Sequence, residues 1–510
     1  MSDSSANARD LRHRNAPLAM QGETFRRLGY QAVDAMAELL DSLPQRPVSP
    51  GVEPAVMRAR LGNDTLPRQG TDANMLLGET LALLGDNSLF NGHPRFMGYI
   101  TSSGAPIGAL ADLIAAVINP NLGGWELSPM ASEIEVQTIR WLAELIGYPI
   151  DCGGLLVSGG NVANFVGFLA GRRAKAPWDI RAAGLRNHPQ LVVYGSQETH
   201  TWIQKAADLF GLGTDAMRWI PLDEKRRMRV DALQAQIRVD KKSGCFPFMV
   251  VAAAGTVTVG AVDPIHDIAA VCREHDLWLH VDGAYGAPAA VARGAPADLQ
   301  ALGEADSVAF DPHKWLYSSL EAGCTLVRRP EDMVNAFSFH PEYYKFDDNS
   351  EEPGINFYEF GLQNSRGFRA LKVWLALRLV GREGYRQMIG DDIALARALF
   401  EAAQAHPELE AFTCNLSIAT FRYAPAGSRR KGEMADDYLN ELNEALLTRL
   451  IRGGEAFVSN AVIDGKYALR ACIVNFNTAL DDVEALPEIV ARIGRELDAE
   501  MRPDALQKLR

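Results

Sequence analysis

The sequence predicts an α/β protein: a mostly parallel sheet of about seven strands sandwiched by helices, with a helical arm before it and a small α+β domain after it. Three observations carry this. Between residues 150 and 330, short apolar runs alternate with helical patterns, and continuous apolar strands separated by helices belong to parallel sheets covered on both faces. Near Tyr385 that alternation gives way to helix, run, helix, run, helix. Near the start, Phe25, Leu28, Val33, Met36, Leu39 and Leu40 recur at helical spacing, in a segment too small to fold alone.

In order, residues 1–20 read as disordered, and the arm helix closes before Pro44. Pro44, Pro47, Pro50 and Pro54 make an extended connector to a short helix over Asn74 to Leu84. At about residue 91 a large domain begins with His93-Pro94-Arg95-Phe96-Met97-Gly98-Tyr99, an apolar helix from Gly108 to Ile118 and a polar corner, Asn119-Pro120-Asn121. Its strand runs are Gly154 to Val157, Leu191 to Tyr194, Arg218 to Ile220, Phe248 to Ala253, Leu277 to Val281, Ser307 to Phe310 and Cys324 to Val327. Helical patterns such as Val162 to Arg173, Val230 to Asp240 and Ile265 to His275 separate them. The last part holds runs at Leu416 to Tyr423 and Tyr467 to Val474, with a helix from Met434 to Ile451 between them. The expected domains are 1–90, 91–384 and 385–510.

Composition narrows the function. With 51 basic against 64 acidic residues and a net charge of −13, the chain is no general binder of nucleic acid or anionic membranes. Its six cysteines are scattered, without CxxC spacing, as in reduced cytosolic proteins. There is no leader-like apolar start and no uninterrupted 18-residue apolar run, so the expectation is a soluble cytoplasmic protein. Gly159-Gly160 lacks the GxGxxG dinucleotide spacing, and His266, His275 and His280 lack HExxH metal spacing.

Three features fall at or just after strand ends. Ser158-Gly159-Gly160-Asn161-Val162-Ala163-Asn164 is a glycine-rich turn into a helix, whose free N–H groups make an anion seat. His280-Val281-Asp282-Gly283-Ala284-Tyr285 sets a carboxylate at the end of an apolar strand. Asp306 to Leu316 delivers Lys314 just past another strand, between His313 and Trp315. A lysine in apolar sequence is costly unless its charge is used or suppressed, and Schiff-base chemistry uses it. Singly, each has a plainer explanation: a capped turn, a satisfied aspartate, a lysine lying along apolar surface. Together, an anion seat, a carboxylate and a lysine are what a pyridoxal 5'-phosphate site needs. His200, after another strand, could stack on the ring or simply lie on the surface.

Over about 25 to 475 the chain resembles the group II pyridoxal-phosphate-dependent amino acid decarboxylases, which include the aromatic L-amino acid, histidine and glutamate decarboxylases. The resemblance lies in His93-Pro94-Arg95-Phe96, Ser132-Glu133-Ile134-Glu135, His280 to Tyr285, Pro312-His313-Lys314-Trp315 and Ser365-Arg366-Gly367-Phe368-Arg369-Ala370-Leu371-Lys372, all in order. It implies fold type I, a homodimer with its active site at the subunit interface and an N-terminal arm wrapping the partner. It further implies that Lys314 carries the cofactor as an imine, Asp282 partners the ring nitrogen, and His200 and Ala284 lie on opposite ring faces. Gly160 and Asn161 would hold the phosphate, with His313 beside it, and Thr256 would lie near the ring hydroxyl or the substrate carboxylate. The implied reaction is loss of CO₂ from an L-amino acid, aromatic above all, followed by reprotonation at Cα.

Three positions depart from the family. Asp311 replaces an asparagine that touches the phosphate in animal members, and its side chain is expected to face an arginine or backbone donors. Phe357 falls where decarboxylases carry the tyrosine that protonates Cα, with Tyr358 adjacent; both are candidate catalytic positions. Phenylalanine there marks the related oxidative aldehyde synthases, the alternative reading. Gly123-Gly124 precedes Trp125 where relatives present an aromatic to the neighbouring subunit, which leaves acidic or diamino acids such as glutamate or 2,4-diaminobutyrate open as substrates.

Overall fold

The computed structural model describes residues 16–339, 354–425 and 432–502. Residues 1–15 of the expected disordered start over 1–20, and the part of the Phe346 to Leu362 loop up to residue 353, lie outside the described residues. Two compact units divide the chain, Met1–Phe90 and Asn91–Arg510.

In the first unit, helices span Gly22–Ser42, Pro54–Leu61 and Ala73–Asn87. Asp72 caps the last of these, its carboxylate accepting the Asn74 and Met75 N–H groups. The first helix exposes Phe25, Tyr30, Val33, Met36 and Leu40. A row of exposed apolar residues on one helix marks an interaction face, which supports the arm's proposed role of wrapping a partner subunit.

The second unit contains the expected seven-stranded sheet: β1 (Gly153–Val157), β2 (Leu191–Ser196), β3 (Met217–Ile220), β4 (Phe246–Ala253), β5 (Trp278–Asp282), β6 (Ser307–Phe310) and β7 (Gly323–Val327). Their spatial order is β1-β7-β6-β5-β4-β2-β3. Only β7 runs against its neighbours. Every residue of β1, β2, β5, β6 and β7 is buried, because helices cover both faces; that is why these strands read as unbroken apolar runs.

A second sheet, antiparallel, joins β8 (Leu409–Asn415), β9 (Ile418–Tyr423), β10 (Ser459–Ile463) and β11 (Lys466–Cys472) in the order β10-β11-β9-β8. The sequence showed only two of these four strands. β8 and β10 are half-exposed partners of hairpins, with too little apolar sequence of their own to signal a strand. The helix Ala370–Ala405 runs through the expected boundary at 384/385, broken just before it by Gly381 at φ 67°, a left-handed conformation suited to glycine. We propose 385–510 as the small domain on the strength of its own sheet.

Among the described residues no helix is long and apolar enough to cross a membrane, and no group of three or more His, Cys, Asp or Glu side chains is placed to hold a metal. All six cysteines are free thiols.

Candidate active site

The carboxyl ends of β1, β2, β4, β5 and β6 open on one edge of the sheet, the edge at which open α/β folds place ligands. The segments leaving them line a cavity of about 710 Å³. Gly160 and Asn161 come from the turn after β1, His200 from the segment after β2, Thr256 after β4, Asp282 and Ala284 from the end of β5, and His313 and Lys314 after β6. All the candidate residues except Phe357 and Tyr358 therefore meet in one cleft.

Lys314 sits on a one-turn helix, Pro312–Trp315, begun by a proline whose fixed φ suits that position. The neighbouring Trp315 turns into the core: its ring stacks on Tyr285 at 4.9 Å and its Nε1–H donates to Asp392 Oδ2 at 2.8 Å. With tryptophan anchored there, the lysine is left facing the cleft. Its Nζ donates to Asp311 Oδ2 at 2.9 Å. Burial works against the charge, but Asp311, and less so Asp282, outweigh it and hold the ammonium above its ordinary pKa. The expectation for Asp311 is thus corrected. Its carboxylate is paired with Lys314, and no arginine pairs with it among the described residues, because the short helix brings residues three apart onto one face.

Asp282 ends β5 with both oxygens engaged. Trp202 Nε1–H donates to Oδ2 at 2.7 Å and the Ala284 N–H to Oδ1 at 3.1 Å. Two residues earlier, His280 bridges Ser307 Oγ and Asn164 Oδ1, each at 2.7 Å. Burial pulls its pKa down to about 4, so it is a neutral core histidine.

His200 precedes the helix Trp202–Leu209, its Nδ1 accepting the Trp202 N–H at 3.3 Å. Burial lowers its pKa, so the ring facing the cleft is neutral. Thr256 is locked in a turn: its Oγ1 accepts the Ala261 N–H at 3.1 Å and its own N–H donates to Ala261 O at 2.8 Å. Its hydroxyl proton remains available to the cleft.

Gly159 has φ 131°, which glycine alone tolerates, and it swings the chain from β1 into the helix Gly160–Lys175. Ala163 makes the first N–H bond of that helix, to Gly159 O at 3.0 Å. The N–H groups at Gly160, Asn161 and Val162 belong to the first turn, where a helix offers them no partner of its own, and they make an anion seat. His313 stands beside it: a methyl built on Gly159 would meet its Cε1 at 3.4 Å. The His313 Nδ1 accepts the Ala322 N–H at 3.1 Å, which leaves the ring proton on Nε2, and burial lowers its pKa.

Phe357 and Tyr358 do not reach this cleft within one chain. Phe357 is buried in the main core with the Arg366 guanidinium 4.7 Å from its ring centre. Arg366 in turn pairs with buried Glu135 and donates to Leu122 O and Leu156 O. The Tyr358 N–H donates to Gly123 O at 3.0 Å, and its side chain lines a separate cavity with Arg172 and Arg181. Sequence reasoning also missed Trp202 and Asp392, which hold Asp282 and the lysine-bearing turn. The position of Trp202 at the helix start after His200 was a usable sign, whereas Asp392 lies 78 positions beyond Lys314 and gave none.

These groups fit pyridoxal phosphate: helix-start N–H donors for its phosphate, a doubly held carboxylate for its ring nitrogen and an amine for its aldehyde, in a cleft roomy enough for all three. Fold and site define the class: an enzyme whose cleft fits an aldehyde cofactor. The chain belongs to the pyridoxal-dependent decarboxylases: the family's conserved domain matches residues 54–423. It is accordingly a carboxy-lyase that works with pyridoxal phosphate. An aromatic-L-amino-acid decarboxylase of Bacillus atrophaeus is 36% identical over 473 residues, covering 91% of this chain and 94% of that one. A phenylacetaldehyde synthase of Petunia hybrida is 28% identical, covering 88% and 90%. Among solved structures, the Oryza sativa TDC with PLP and tryptamine matches with a TM-score of 0.86 at 25% identity, covering 95% of this chain and all of that one.

Proposed function

We propose that the enzyme decarboxylates an aromatic L-amino acid to its amine, as a homodimer with its clefts at the subunit interface. The charge pattern of the cleft carries the substrate reading. No arginine is among the described residues lining it, its one lysine is paired with Asp311, and Ile100, Val257 and Leu320 add apolar surface. Among the described residues of one chain a side-chain carboxylate finds no free cation there, whereas an aromatic ring finds a surface to cover. The Bacillus relative, an aromatic-amino-acid enzyme by name, supports the same class.

Bound pyridoxal phosphate supplies an electron sink for the pair left behind as CO₂ departs. Gly160 and Asn161 would hold its phosphate with His313 alongside, and Lys314 Nζ would hold its aldehyde carbon until the substrate amine takes that place. Asp282, fixed in place by Trp202 and the Ala284 N–H, would face the ring nitrogen and hold a proton there. Neutral His200 would cover one ring face without adding a competing positive charge, Ala284 would leave the other open, and Thr256 would donate to the ring hydroxyl or the substrate carboxylate. We assign delivery of the Cα proton to the Tyr358 hydroxyl, since Phe357 has no acidic hydrogen.

The interface reading rests on how Tyr358 is held. Its N–H is bonded to Gly123 O, and the Trp125 N–H to Asn356 Oδ1, each at 3.0 Å. The 123–125 corner and the 356–358 segment thus form one patch away from the chain's own cleft, suited to border a partner's. Mixing Lys314→Ala and Tyr358→Phe subunits tests this. Each variant alone is inactive, and hybrids regain activity through one intact cleft; inactive hybrids refute the interface reading.

A second reading, an oxidative aldehyde synthase, is favoured by Phe357 and by the Petunia relative. Product analysis with aromatic amino acids decides between them. Amine and CO₂ alone support decarboxylation, and aldehyde with ammonia and peroxide supports the synthase.

A further inference from the structure

The buried carboxylate of Asp311 carries more than its pairing with Lys314. It is 1% exposed. Oδ2 accepts from Lys314, while Oδ1 has no hydrogen-bond partner among the described residues. A methyl built on Gly160 would lie 2.7 Å from Oδ2 and 3.5 Å from Oδ1. The carboxylate therefore lies against the first residue of the anion seat.

The groups around it are few. Its own turn presents Lys314 and, at 3.8 Å, His313 Nε2. His200 faces it from the segment after β2, and the buried Cys324 thiol, kept protonated by desolvation, from β7. Asp282 acts on Lys314 from β5. Both imidazoles are held neutral by burial. Lys314 is thus the one cation paired with Asp311 among the described residues, and its amine is the group the cofactor takes.

Resting on the seat and lysine roles proposed above, the difficulty is two anions side by side in a desolvated site, a combination that drives one of them to protonate. We propose that Asp311 becomes a neutral carboxylic acid when the phosphate is seated, taking a proton from solvent on Oδ1 and donating that O–H to a phosphate oxygen. One O–H bond forms, one proton leaves solution, and nothing is oxidised or reduced. The aspartate then supplies the donor that an asparagine would, but only with a proton. Cofactor affinity consequently falls as pH rises.

The test titrates wild-type and Asp311→Asn apoenzyme with pyridoxal phosphate and with pyridoxal across neutral pH, following affinity, proton uptake and the infrared carboxyl region. Wild type takes up about one proton more than the variant, and its Kd rises about tenfold per pH unit relative to the variant. A protonated-carboxyl stretch appears in the loaded wild type and is absent from Asp311→Asn, and pyridoxal shows none of these differences. Equal proton uptake in the two proteins, or an equal difference with pyridoxal, overturns the proposal. Gly160→Ala separates this from failure of the seat. If that variant keeps the wild-type preference for pyridoxal phosphate over pyridoxal, the phosphate does not rest on the turn, and the inference falls with the seat. If it loses the preference while wild type and Asp311→Asn take up equal protons, the seat stands and the Asp311 inference falls.

Discussion

Replacing Asp392 with asparagine tests how the lysine-bearing turn is anchored. The carboxylate lies on the helix Ala370–Ala405, 3% exposed, and Oδ2 accepts from Trp315 Nε1 at 2.8 Å and the Tyr317 hydroxyl at 2.7 Å. Burial lifts its pKa from an ordinary 3.8 to about 7, against the opposing effect of the two hydrogen bonds. Between those values the folded protein keeps a proton that the unfolded chain has released. The stability this group contributes is full below the unfolded value and is lost as pH rises through the folded one. A gap of about three pH units, at about 1.4 kcal/mol each, is worth roughly 4 kcal/mol. An amide offers an acceptor for both donors and has no proton to lose. Its own N–H groups, where unpaired, cost about 1–3 kcal/mol, but equally at every pH. Denaturant midpoints near pH 4, at the unfolded value, and at mildly alkaline pH, above the folded one, provide the assay. Wild type loses stability across that range, and Asp392→Asn loses roughly 4 kcal/mol less. Parallel losses in the two proteins refute the assignment of this titration to Asp392.

Other perturbations probe the supports of the cleft. Arg366→Met leaves the Glu135 charge buried without its ion-pair partner and should cost about 3–5 kcal/mol by denaturant unfolding, with Glu135→Leu in the same chain recovering most of it. Trp202→Phe removes the donor to Asp282 Oδ2 while keeping an aromatic ring in the core. A hydrogen bond to a charged group is worth about 1.5–3 kcal/mol, so turnover should fall roughly ten- to hundredfold with the circular dichroism spectrum unchanged. Gly123→Ala would set a methyl 2.0 Å from the backbone oxygen of Asn364, so the corner joined to Tyr358 must shift. Decarboxylation should then fall while cofactor affinity, measured by absorbance titration, stays as in wild type.

The parallel sheet was legible because β1, β2, β5, β6 and β7 are buried along their whole length, which forces continuous apolar sequence. The cleft was legible for a related reason. Each strand end passes its next residues to the same edge, so the Gly160 turn, His200, Asp282 and Lys314 could be grouped from their positions after strands, whereas Thr256 came from the family resemblance. The local turn geometry was also in the sequence, in the glycine pair that only a positive φ and an open helix start require.

What tertiary structure alone decided lies in contacts between distant segments. Trp202 and Asp282 are 80 positions apart, and Trp315 and Asp392 are 77 apart. No periodicity relates such pairs, because they meet only when separate elements pack. The same holds for Asp311. The sequence marked it as a carboxylate beside a phosphate site, and packing turned it toward Lys314 and the Gly160 turn. Phe357 and Tyr358 were chosen by distance along the chain. Folding carried them to the Gly123 corner, because the backbone bonds at Leu122, Gly123 and Arg366 tie those segments together.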